Sequence, residues 1–60
     1  MRYRVDYVTG DCSFAGNRQE LIEELSRMEP GMISDVRRLY KSGVSDLVTE
    51  KYLRFVGVKL

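Results

Sequence analysis

The sequence predicts a small α+β domain in which an antiparallel sheet carries one amphipathic helix packed across one face. Residues 17–28 have the spacing of an amphipathic helix, and residues 2–8 alternate as a half-buried strand does. A strand of that kind needs others beside it, because a lone strand or hairpin is barely stable in water.

In the strand of residues 2–8, Tyr3, Val5 and Tyr7 alternate with Arg2, Arg4 and Asp6, so one face is apolar and the other charged. Thr9-Gly10-Asp11 has turn composition, with Gly10 free to take a positive φ. Residues 12–15, Cys-Ser-Phe-Ala, either return as a short edge strand or lead as a loop into the helix, with Phe14 as the anchor. Asn17 suits the N-cap of the helix, and Glu20 completes a capping box by reaching back to the Asn17 N–H. Leu21, Ile22, Leu25 and Met28 form the apolar stripe opposite Arg18, Glu23, Glu24 and Arg27. Glu23 stands four residues before Arg27, a weakly favourable pairing, and Pro30-Gly31 stops the run. So short a helix does not persist alone, which means that its stripe must be buried.

Residues 33–41 read two ways. As a helix, Ser34 caps, Asp35 favours the dipole, and Ile33, Val36, Leu39 and Tyr40 fall at helical spacing before Lys41 and Gly43. As a strand, Val36, Arg38 and Tyr40 alternate with Asp35, Arg37 and Leu39, and Lys41-Ser42-Gly43 makes a hairpin loop. Periodicity slightly favours the helix, while the need of residues 2–8 for a neighbour favours the strand. Residues 44–48 form a second short apolar-rich run that can add a strand, and residues 49–53 read as one helical turn capped by Thr49. Residues 54–60 are β-prone and mostly apolar, either a final strand or a tail ordered against a partner.

Leu39-Tyr40-Lys41 followed by Val48-Thr49-Glu50-Lys51-Tyr52-Leu53 resembles the small uncharacterised proteins encoded by phages and prophages. In those, a strand or hairpin precedes a Leu-rich acidic helix, a strand ending in Tyr-Lys and a closing Val-Thr-Glu-x-Tyr. The resemblance implies a sheet with one helix, and so a strand for residues 33–41. It implies no activity. The continuation after Leu53 has no counterpart in that pattern. The predicted core is then Tyr3, Val5, Tyr7, Phe14, Leu21, Ile22, Leu25, Met28, Val36, Tyr40, Leu47 and Phe55.

Sixty residues make one domain, 1–60, and at this size only about 60% of the unfolded chain's surface is buried on folding. With one cysteine, Cys12, there is no internal disulfide, and with no histidine there is no zinc-type ligand set. Self-association as a homodimer is therefore one expected route to stability. The N-terminus lacks the apolar block of a signal peptide and no stretch has the length of a membrane span, which points to the cytoplasm.

The composition argues against enzymatic chemistry. Without histidine, acid–base work falls to carboxylates or a lysine, and Cys12 follows Asp11, whose charge disfavours the thiolate. Glu23 and Glu24 diverge by about 100° on a helix and cannot share one substrate. The five glycines, at positions 10, 16, 31, 43 and 57, form no phosphate-cradling loop. No cofactor or metal site is expected.

Two binding readings remain. The first is a protein-interaction module, of phage accessory or host-interacting type if the resemblance holds, that presents the acidic helix face of Glu20, Glu23 and Glu24, a strand edge or the tail to another protein or a second copy. The second is nucleic-acid binding. The net charge is +1, but residues 37–60 carry six basic against two acidic residues. Arg37, Arg38, Lys41, Lys51, Arg54 and Lys59, with Tyr40, Tyr52 and Phe55 between them, suit backbone neutralisation with base stacking. The plain alternative is that these long side chains lie over apolar surface whose aromatics are core.

Overall fold

A computed structural model describes residues 2–58. In chain order the elements are β1 (Arg2–Tyr7), β2 (Cys12–Ala15), α1 (Arg18–Ser26), a 3-10 turn (Pro30–Met32), β3 (Ile33–Leu39), β4 (Ser45–Leu47) and α2 (Thr49–Leu53). The strands form one antiparallel sheet in the order β2-β1-β3-β4.

Residues 33–39 are a strand, which overturns the helical alternative for 33–41. The helical look of Ile33 and Val36 has a definite cause. Asp6 pairs with Asp35 but Tyr7 pairs with Ile33, so Ser34 is an extra residue that breaks the register. The bulge lets two residues three apart both enter the core, as they would on a helix.

Both hairpins are closed the same way. Tyr7 accepts from the Gly10 N–H (3.0 Å) while its own N–H reaches Asp11 C=O (2.8 Å), and Tyr40 accepts from Gly43 (3.0 Å) while donating to Val44 (3.0 Å). Each loop ends on a glycine of positive φ, +96° at Gly10 and +89° at Gly43, where an L side chain would be strained.

The helices cover one face. Tyr3, Val5, Ala15, Leu21, Leu25, Ile33, Val36 and Tyr52 are buried, with Tyr7, Ile22, Met28, Val48, Phe55 and Val56 packed around them. Three residues of the expected core are not in it, and two of these are well exposed: Phe14 is 50% exposed and Leu47 59% exposed. Register explains both. Because Tyr3 faces the helices, its partner Ala15 does too, and Phe14, which pairs with Arg4, is turned to the other side. Leu47 pairs with Arg37 and follows it outward. Tyr40 is only half-buried and outside the core.

The cap of α1 is close to expectation. Asn17 Oδ1 accepts the Glu20 N–H at 2.8 Å, but the Glu20 carboxylate takes the Gly16 N–H (2.8 Å) rather than that of Asn17. Arg27 does not reach the Glu23 carboxylate; its Nε donates to the Glu23 main-chain oxygen at 3.1 Å. Thr49 does not cap α2, whose N-cap is Val48. Its Oγ1 instead accepts the Val36 N–H at 3.0 Å, so helix and sheet are stitched together at the start of α2.

The expected closing strand is not formed over residues 54–58. Arg54–Gly57 continue α2 as turns, and the Gly57 N–H donates to Leu25 C=O at 3.1 Å, bringing the chain back onto α1. Residues 59 and 60 of that expectation lie outside the described residues. The accessible surface is 4148 Å², against roughly 4,000 Å² for a compact monomer of this mass, so the fold leaves little excess area uncovered.

Candidate functional site

The uncovered face of the sheet follows from the alternation of β1. With Tyr3 and Val5 turned to the helices, Arg2, Arg4 and Asp6 point away from them. Cross-strand pairing then sets Phe14, Arg4, Arg37 and Leu47 side by side, one from each strand, with Arg2 and Leu39 paired in the row beyond. Arg4 and Arg37 are like charges directly opposite each other, an arrangement that repels unless a counterion sits beside them. Asp6 supplies it: its carboxylate is 3.2 Å from Arg4 Nε and 3.8 Å from Arg37 Nε. The Arg2 guanidinium lies 4.9 Å from the centroid of the Phe14 ring. At the hairpin end a groove of about 450 Å³ opens, lined by Arg2, Leu39, Tyr40, Lys41, Gly43 and Val44.

A second surface lies on the helical side. Tyr3, Tyr52 and Phe55 touch in succession, with ring centroids 5.7 and 6.1 Å apart. Four cations lie over them. Arg38 is 5.7 Å from the Tyr3 centroid, Arg18 is 5.9 Å from Tyr52 and 5.8 Å from Phe55, Lys51 is 5.8 Å from Tyr52, and Arg54 is 4.9 Å from Phe55. The two phenols respond in opposite directions. Burial and then the hydrogen bond with Tyr52 raise the Tyr3 hydroxyl. Burial also pushes Tyr52 up, but hydrogen bonds with Tyr3, Arg38 and Arg18 outweigh it, so its net direction is down.

The expected nucleic-acid set is thus divided. Arg38, Lys51 and Arg54 share the helical side, Arg37 stands on the open sheet face, and Lys41 lies in the β3–β4 loop beside the groove. Tyr52 is fully buried and cannot stack on a base. Arg18 belongs to the cluster and was missed because it is distant in sequence; Arg2, Arg4 and Phe14 were missed on the open face. The strand alternation of residues 2–7 held the signal for the arginines.

The acidic helix residues are likewise separated in role. Glu20 is used in the cap, and Glu24 Oε1 accepts from Ser13 Oγ at 2.7 Å. Ser13 spends its only proton there, so the Tyr7 hydroxyl, 2.7 Å away, donates to Ser13. That relay joins β1, β2 and α1. Glu23 is exposed. Cys12 is a free, exposed thiol on the edge strand. Among the described residues no three His, Cys, Asp or Glu side chains group as metal ligands would, and no helix is long and apolar enough to cross a membrane.

Comparison with known proteins finds no matching family model, no similar curated protein and no similar solved structure.

Proposed function

We propose that the protein is a non-enzymatic interaction module that binds another protein through the open face of its sheet. One observation carries this reading: Phe14 and Leu47, each at least half exposed, flank Arg4 and Arg37 in a single row on the side that the helices leave bare. Aromatic residues and arginine are the types enriched at the centres of protein interfaces. The neighbouring groove offers room for an apolar side chain, and Arg2 and Lys41 at its rim suit carboxylates around it. The acidic helix face is a poorer candidate, since two of its three carboxylates already hold the fold together. The phage-type accessory role, read from residues 39–53, and with it a setting in the host cytoplasm belong to this proposal; a host protein is then the partner.

The test is a comparison of partners captured from host lysate by the wild type, by Phe14→Ser/Leu47→Ser and by Glu23→Lys. The expected result is a partner retained by Glu23→Lys and lost by the double variant, with circular dichroism unchanged. A partner that survives the double variant sinks the assignment of the face. Light scattering over a dilution series decides whether the partner is a second copy.

A further inference from the structure

We infer that the cations laid over Tyr3, Tyr52 and Phe55 form a binding site for the phosphate groups of a single-stranded nucleic-acid backbone. This surface is separate from the open sheet face and stands or falls apart from it.

The argument begins with what holds the charges in place. Arg18, Arg38, Lys51 and Arg54 come from three elements and the turn after α2, yet all lie over one continuous run of three rings. A cation over a ring face is held without being neutralised, unlike one in an ion pair. Among the described residues the only ion pairs are those of Asp6 with Arg4 and Arg37, on the other side of the sheet. The four cations of the cluster therefore keep their charge available. Arg38 is the most engaged of the four: its Nη1 donates to the Tyr40 hydroxyl at 3.5 Å, which donates in turn to Asp46, the cross-strand partner of Arg38.

The type of ligand follows from what the patch lacks. A protein interface needs apolar surface at its centre, but here Tyr52 is fully buried, Tyr3 is 4% exposed and Phe55 is half-buried, so the surface presented is mainly charge. Three of the four cations are arginines, whose planar fork matches phosphate oxygens two at a time. Four cations are spread over three rings whose centroids step by 5.7 and 6.1 Å, so the patch has room and charge for more than one phosphate. With the rings closed off, bases are not stacked, and the site is indifferent to sequence.

The experiment is fluorescence anisotropy of a labelled single strand of about 15 nucleotides titrated with the full chain at a series of salt concentrations. Neutralising three to four phosphates predicts a slope of log K against log salt of about −2 to −3. Lys51→Glu/Arg54→Glu should weaken binding roughly tenfold or more and flatten the slope, and Lys51→Gln/Arg54→Gln, which keeps the side-chain stems, should fall between that variant and wild type. Lys41→Glu and Phe14→Ser/Leu47→Ser should leave it within about twofold. The inference is overturned if no binding appears at low salt, or if Lys41→Glu costs as much as the α2 variants. It is overturned equally if polyglutamate binds as tightly as the strand, or if inorganic phosphate matched in phosphate concentration displaces the strand.

Discussion

Thr49 shows how one side chain can complete a sheet. Strand β4 pairs with β3 only from Arg37 onward, so the Val36 N–H would face the short end of β4 without an acceptor. The Thr49 hydroxyl oxygen accepts that N–H, and the Val48 N–H donates to Val36 C=O at 2.9 Å, so the ladder is continued by a hydroxyl and a loop amide. Thr49→Val should cost about 1–3 kcal/mol, the range for a buried donor left unmet, seen as a lower urea midpoint at unchanged m; Thr49→Ser should recover most of it. The tyrosine pair gives a second test. Tyr52, lowered, should ionise ahead of Tyr3, raised, when phenolate absorbance is followed with rising pH. For Tyr3 the linked stability is present below about pH 10 and lost as pH climbs through its folded value. For Tyr52 the sign reverses: the linked stability is present above about pH 10 and lost as pH falls through its folded value. Arg38→Leu should move both phenols upward, because the guanidinium holds each of them down. None of this is legible in the sequence, where Thr49 looks like an ordinary cap and the tyrosines stand 49 residues apart.

At the level of elements, the two hairpins share a signature, Tyr7-Val8-Thr9-Gly10 and Tyr40-Lys41-Ser42-Gly43, each a tyrosine, a free position, a hydroxyl residue and a left-handed glycine. Gly10→Ala and Gly43→Ala should each cost about 1 kcal/mol or more in thermal or urea unfolding, although nothing crowds either position, because the cost is conformational. Asn17→Ala should cost about 1 kcal/mol through the lost cap. Helix α1 was legible because cap, stripe and stop agree with one another. Strand β3 was ambiguous because its bulge at Ser34 imposes a spacing of three on a structure whose period is two. The same alternation separates Arg37 from Arg38, which neighbour each other in sequence and so face opposite sides of a strand. Grouping them as one basic patch neglected that rule.

The whole molecule is a sheet with one furnished side and one bare side, and the faces should answer differently to mutation. Phe14→Ser/Leu47→Ser removes no buried contact and should change stability by about 0.5 kcal/mol or less, whereas Tyr52→Ala should cost about 3–5 kcal/mol. Against roughly 3–9 kcal/mol expected for sixty residues, the second change leaves much of the population unfolded at room temperature, a contrast that far-ultraviolet circular dichroism will register directly. Charge content was readable from composition, but its partition between the faces depended on register, and the open face was hidden because Phe14 and Leu47 read as natural core. The placement of Tyr52 also sets a timetable for synthesis. A ribosome releases β1 and α1 early, yet Tyr3 meets its aromatic neighbour only after the last described helix has cleared the exit tunnel. The part of the apolar side that Tyr52 covers therefore stays open to water until α2 has emerged, and it closes late.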